Sequence, residues 1–244
     1  MSKNAVVSRS WWRTVKRVLF YLFIFQFVYI LALRWINPPI TITQLSNWVT
    51  GNGMRRDYVS AAKISPYMRL AVISSEDQLF AEHYGFDWKR IQEAMAYNKR
   101  KPQKLRGGST ISQQTAKNVF LWQGRSWIRK GLEVYFTAMI ELLWGKKRIL
   151  DVYLNVIEMG KGVFGAEAAA QLYFGKSARQ LTRREAAMIA AALPNPKRYK
   201  VKPASRYVQG RSNFILRQMM HLQSDRKVRP LIENRYRKKF LRCG

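Results

Sequence analysis

Three short segments of this 244-residue chain gather acids, amides and cations in a manner that core packing does not explain. The first is Ser74-Ser75-Glu76-Asp77-Gln78-Leu79-Phe80-Ala81-Glu82-His83, closed by Tyr84-Gly85-Phe86. A carboxylate standing among apolar residues can take a proton from a hydroxyl, although this segment alone also reads as a charged helix end. In the second, Gly107-Gly108 leads into Ser109-Thr110-Ile111-Ser112-Gln113-Gln114-Thr115-Ala116-Lys117-Asn118. The Ser/Thr caps predict a helix start there, and Gln113, Gln114 and Lys117 then share a face by their three-and-four spacing. Free N–H groups at a helix N-terminus, with a lysine one turn on, suit a phosphate or a sugar. The third segment is Arg129-Lys130-Gly131-Leu132-Glu133, whose simplest reading is an Arg129–Glu133 pair on a helix surface.

The elements that must position these segments are mostly helical. Between residues 126 and 157 the apolar positions Ile128, Leu132, Tyr135, Met139 and Leu143 recur at helical spacing. Gly145 interrupts the pattern, and Ile149, Val152, Tyr153, Val156 and Ile157 resume it. Thr182-Arg183-Arg184-Glu185 is a capping box opening an alanine-rich run that Pro194-Asn195-Pro196 ends, which assigns Glu185 to structure. Without strand–helix alternation, internal repeats or low-complexity tracts, the expected fold class is mainly α.

Val18 to Leu33 carries no charge and one polar side chain, Gln26. As a helix it spans ~24 Å, short of a ~30 Å hydrocarbon core, and Trp35 with Ile36 would extend it while Arg34 snorkels. Lys3, Arg9, Arg13, Lys16 and Arg17 precede the run without an acid, a bias that holds the N-terminus in the cytoplasm. Arg34 and Trp35 stand where a cleavage site would need small residues, so a retained anchor is expected rather than a signal peptide. The expected organisation is a basic cytoplasmic tail (1–17), a transmembrane anchor (18–36), a linker (37–57) opened by Asn37-Pro38-Pro39, and a folded domain (58–244). In a Gram-negative type of cell the anchor is in the inner membrane and that domain is periplasmic.

Forty-four Lys and Arg against fourteen Asp and Glu give a formal charge of +30, and the first acid is Asp57. At 48% hydrophobic residues the chain is too apolar for a disordered basic tail, so the charge sits on a folded body and implies a large anionic partner. A location outside the cytoplasm argues against nucleic acid and for anionic head groups or a lipid-linked phosphate. His83, His221 and the single Cys243 complete no zinc pattern, so no metal ligand set is expected and Cys243 reads as incidental.

Three motifs are chance matches. Gly160-Lys161-Gly162-Val163-Phe164-Gly165 spells a dinucleotide fingerprint but lacks the strand and βαβ frame around it, and reads as glycines in a turn between helices. Gly175-Lys176-Ser177 imitates the end of a P-loop, with Ala170 where the first glycine belongs. Ser60-Ala61-Ala62-Lys63 matches S-x-x-K, but no K-T-G follows.

Together the polar segments resemble glycosyltransferase family 51, the peptidoglycan polymerases that consume lipid II. The resemblance runs from about Val72 to Tyr199 and rests on five motifs in order: EDQLFAEHYGF, GGSTISQQTAKN, RKGLE, KRILDVYLNVIEMG, and AAAQLYFGK with the following LTRREAAMIAAALPNP. Asp151 stands where the ILExYLN motif more usually has glutamate, a conservative change on an expected structural helix. With an anchor and no transpeptidase region, the sequence is similar to the monofunctional members.

The resemblance implies a lysozyme-like fold, Glu76 as general base and Glu133 as the second acid. It implies that Asp77, Phe80 and His83 shape the first site and that Thr110, Gln113, Gln114 and Asn118 line the donor side. Lys117, Arg129 and Lys130 would neutralise a departing polyprenyl pyrophosphate, which needs charge more than a proton. No cofactor is required, with room for a divalent cation (Mg2+ or Mn2+) at the pyrophosphate. The partners implied are lipid II, the growing glycan strand, the inner membrane, and cell-wall synthesis or division proteins. Two alternatives stay open: a lysozyme-like peptidoglycan hydrolase, since two carboxylates can also flank a glycosidic bond, and a basic scaffold that binds anionic lipid or glycan without turnover. The cation clusters favour the transferase, because a hydrolase has no pyrophosphate to neutralise.

Overall fold

The computed structural model describes residues 3–103, 107–124 and 126–233, with side chains from Trp11 onward; Cys243 lies outside the described residues. The chain divides between Asn37 and Pro38 into two compact units.

The first unit is one helix, α1 (Lys3–Ala32), so the basic tail and the apolar run are continuous. Trp11–Ala32 is long and apolar enough to cross a membrane, about 33 Å at helical rise. The helix does not run on to Ile36 as the sequence suggests. Leu33 to Trp35 close in tight turns, with the N–H groups of Arg34 and Trp35 donating to the carbonyls of Leu31 and Ala32. Pro38 offers no N–H and disfavours helical geometry at Asn37, so nothing downstream could continue the ladder.

The second unit starts earlier than the sequence reading placed it. Residues 37–57, expected as a linker, contain helix α2 (Ile42–Val49) and strand β1 (Arg55–Arg56). Thr41 and Gln44 form a reciprocal capping box at the start of α2, and Thr41, Thr43, Gln44 and Asn47 are buried. Polar composition suggested a stalk, but these side chains are bonded inside the fold: Thr41 and Gln44 bond each other, Gln123 donates to Thr43, and Lys197 donates to Asn47.

Next come a single 3-10 turn at Ala61–Lys63, which holds the S-x-x-K match, and helices α3 (Pro66–Glu76), α4 (Trp88–Arg100), α5 (Ile111–Phe120), α6 (Trp127–Leu143) and α7 (Gly145–Val156). A hairpin of β2 (Glu158–Gly160) and β3 (Val163–Phe164) follows, then α8 (Ala166–Phe174), a 3-10 turn at Ala178–Gln180, α9 (Arg183–Ala192), α10 (Arg206–Leu222) and the short α11 (Arg229–Ile232). The unit is mainly α, with a three-stranded sheet in the order β1-β3-β2. That sheet corrects one expectation: the glycines from Gly160 to Gly165 serve a β-hairpin, not a turn between helices. Gly162 has φ +68, and a Cβ there would lie 2.3 Å from the Asn52 carbonyl oxygen, so only glycine fits.

Two helix groups meet at the core. Helix α3 packs on α9, α10 and α11, while α5 packs on α6, α7 and α2. Alanines at 186, 187 and 190 to 192 are fully buried and let α9 approach α3 closely. Arg69 of α3, completely buried, pairs with Asp151 of α7 and also donates to the Leu231 carbonyl. Asp151 is therefore a structural anchor between the groups. Glu185 completes the predicted capping box of α9 and pairs with Lys176 at 2.7 Å.

Helix α6 departs from its apolar pattern. Its buried face is Glu133, Thr137 and Ile140, whereas Ile128 is 76% exposed. The polar members can be buried because Arg129 and Lys130 pair with Glu133, and Thr137 donates to the Glu133 carbonyl at 2.6 Å.

Candidate active site

Glu76 is the last residue of α3, and its side chain lies where α3 meets α5. One carboxylate oxygen accepts from the Ser75 hydroxyl at 3.1 Å, the other from the Gln114 amide at 2.9 Å. The residue is 9% exposed and opens onto a cleft of about 690 Å3 lined also by Arg90, Ser109, Tyr207 and Arg211. A carboxylate with two neutral donors and a roomy cleft in front of it keeps acceptor capacity for a substrate hydroxyl.

Directly behind Glu76, Asp77 is a bracket. Its carboxylate accepts from the backbone N–H of Ile111 at 2.9 Å and from the His83 ring at 3.0 Å. An acid at the first turn of α5 also complements the positive end of that helix. The other His83 ring nitrogen accepts from the Gly85 N–H at 3.1 Å, and the Gly85 carbonyl accepts from the Thr110 hydroxyl at 2.6 Å. Gly85 has φ +87, and a Cβ there would meet the Thr137 methyl at 2.8 Å. Phe80 is fully buried under Lys146, whose ammonium lies 4.7 Å from the ring centroid. This bracket locks the start of α5 against the end of α3.

Along one face of α5, Gln114 reaches Glu76, and Lys117, one turn on, faces a second charge cluster. Glu133 is 3% exposed, with one oxygen on Arg129 at 3.1 Å and the other on Lys130 at 2.5 Å. Burial, above all, pulls the Lys117 ammonium below its ordinary range; Arg129 and Lys130 push the same way, while Glu133 and Glu76 oppose them. Two cations thus pair with one buried acid, and the charge of a third, Lys117, is felt there too. That surplus of positive charge is what a dianionic leaving group would meet.

Both Glu133 oxygens are taken by cations, and among the described residues no group of three His, Cys, Asp or Glu could hold a metal ion.

The transglycosylase family model matches residues 42–220 of the chain. Relatives named biosynthetic peptidoglycan transglycosylase, from two strains of Escherichia coli and from Shigella sonnei, are 59% identical over 182 residues. Each alignment covers 73% of this chain and 75% of the relative. The chain belongs to the transglycosylase family. It is an enzyme of glycosyl transfer, and the family match takes in α2.

Within this transglycosylase unit the expected site residues fall into three sets. Glu76, Gln114, Lys117, Arg129, Lys130 and Glu133 form the line of charge just described. Thr110 and Gln113 instead close a reciprocal capping box on α5, so Gln113 turns back from the face it was expected to share with Gln114 and Lys117. Asn118 donates back to the Gln114 carbonyl at 2.8 Å. Asp77, Phe80 and His83 form the bracket behind Glu76.

Arg90, Tyr207 and Arg211, which line the cleft, and Tyr153, buried behind Gln114, are not legible as site residues in the sequence. Only Tyr153 left a signal, a hydroxyl within the Ile/Val/Leu stripe of α7 that must find a partner once buried. It is fully buried and donates to the Gln114 amide oxygen at 3.2 Å. Burial, with Glu76 and Asp77 adding to it, pushes the phenol well above its ordinary value of 10.0, so it remains a donor. A fixed donor at the oxygen end of the amide directs the nitrogen end at Glu76. Tyr153→Phe should therefore lower kcat about fivefold to tenfold, the scale of one hydrogen bond, with the thermal midpoint little changed. Steady-state rates beside a melting curve check it.

Proposed function

We propose that this chain is a membrane-anchored peptidoglycan glycosyltransferase that polymerises lipid II into β-1,4 glycan strands, releasing polyprenyl pyrophosphate. The carrying observation is that one face of α5 links a cleft-facing carboxylate, Glu76 through Gln114, to a cluster of three cations around the buried Glu133 through Lys117. Glu76 takes the proton from the acceptor's sugar 4-hydroxyl as that oxygen attacks the anomeric carbon of the donor. The bond to pyrophosphate breaks on the opposite face, and configuration inverts from α to β. Lys117, Arg129 and Lys130 take up the developing charge. Glu133, with both oxygens committed to cations, orients Arg129 and Lys130 and donates no proton.

The Trp11–Ala32 helix supports an inner-membrane anchor. The basic residues before its apolar run support a cytoplasmic N-terminus and a periplasmic catalytic unit. Trp127 and Ile128, 92% and 76% exposed, precede Arg129 and Lys130 on α6. Apolar and basic side chains so mixed suit the boundary between head groups and acyl chains, where the substrate's own tail lies.

The test is the purified full chain in detergent with labelled lipid II, its products resolved on a gel. High-mass glycan that lysozyme digests is expected. Shortening of preformed strands without any polymer would make the protein a hydrolase, and neither product would make it a scaffold.

A further inference from the structure

Helix α3 ends on the residue assigned as base, an awkward place for it. The last carbonyls of a helix lack intrahelical partners and carry partial negative charge, so a carboxylate there is disfavoured. Every one of these carbonyls is nonetheless met. Ile73 accepts from the Asp77 N–H, and Ser74 from the Gln78 side chain at 3.2 Å. Ser75 accepts from the guanidinium of Arg211 at 3.3 Å, and Glu76 from the guanidinium of Arg90. The two arginines come from different helices, α10 and α4, and converge on consecutive peptide groups. Both line the cleft with Glu76, and neither pairs with a carboxylate among the described residues.

We propose that Arg90 and Arg211 are positioning residues for Glu76: a two-sided cationic clasp that fixes the peptide carrying the base and offsets the charge gathered at the end of α3. This rests on the transferase reading for its kinetic consequence, but not for its structural one. Neutral side chains could occupy the carbonyls but not balance a carboxylate at a helix C-terminus; guanidinium groups do both. Because Arg90 belongs to α4 and Arg211 to α10, the clasp also ties the base to both walls of the cleft. Loss of one arm leaves the carboxylate free to drift, and misplacement by about 1 Å costs up to ~100-fold in rate.

The test uses the full chain in detergent and the variants Arg90→Ala, Arg90→Lys, Arg211→Ala and the double alanine. Each single alanine should lower kcat for lipid II about tenfold and the pair about a hundredfold, with KM within about twofold. Arg90→Lys should recover most of the loss, since an ammonium can still donate to the Glu76 carbonyl. Amide hydrogen exchange at residues 74–78 should quicken in both alanine variants. An increase in KM with kcat unchanged would mean that the arginines hold substrate and do not position the base. Unaltered exchange at 74–78 would overturn the clasp even if activity fell. Quickened exchange in the variants of a chain that makes no polymer would leave the clasp standing and overturn the functional reading.

Discussion

Glu76→Gln should reduce glycan polymerisation by about a thousandfold or more, within the range that a positioned general base supplies, and leave the protein folded. The substitution keeps shape and volume. Its amide oxygen can still accept from Ser75 or Gln114, which now donate at 3.1 and 2.9 Å. What disappears is the capacity to accept a proton, without which the sugar hydroxyl is a poor nucleophile. Because the position is nearly buried, a neutral isostere costs the fold little, and the thermal midpoint should stay within a few degrees of wild type. Polymerisation at more than a tenth of the wild-type rate in a normally folded Glu76→Gln protein would remove Glu76 from the chemistry. A large fall in the melting temperature would mean that it serves packing instead.

Lys117→Met should separate function from stability. Polymerisation is expected to fall about a hundredfold to a thousandfold, the usual effect of deleting one preorganised charge at a transition state. Stability should move the other way. Burial lowers the Lys117 pKa from 10.5, with Arg129 and Lys130 lowering it further and Glu133 and Glu76 only partly offsetting this. An ammonium whose folded pKa lies below its unfolded one penalises the folded state fully at pH values beneath the folded pKa. That penalty fades as pH rises through the folded value toward 10.5, the unfolded one. The methionine variant, free of it, should melt higher than wild type near neutral pH, and the gap should narrow in alkaline buffer. Melting curves across pH, beside initial rates, check both halves. A lower melting temperature for Lys117→Met would mean that Lys117 is held by Glu133 as a structural ion pair.

Local grammar carried a large part of this architecture. The Ser/Thr caps after Gly108 and the capping box at Thr182 put the starts of α5 and α9 where they are found, and Gly145 parts α6 from α7. The charge line from Glu76 to Glu133 was also legible, because its residue types make little sense as packing. Less legible were features whose partners are far away in sequence. Thr41 and Gln44 look like linker residues until their mutual bonds and burial are seen. The apolar stripe of α6 pointed to the wrong face, since pattern reading weighs hydrophobicity and cannot foresee that Glu133 will be buried beneath two cations. Gln113 matched the spacing of a binding face, yet the capping geometry claims its side chain. Arg90 and Arg211 were hidden among forty-four basic residues, and only the carbonyls they meet distinguish them.

Glu76 as base and pyrophosphate as the leaving group imply a single displacement at the anomeric carbon. The configuration of the newly made linkages tests it most directly, read from anomeric proton couplings of the polymer and paired with a count of released polyprenyl pyrophosphate. β linkages throughout are expected, with one pyrophosphate set free per bond formed. Linkages retaining the donor's α configuration would show that a carboxylate acts as nucleophile in two steps, and bond cleavage without pyrophosphate release would show that the enzyme hydrolyses glycan.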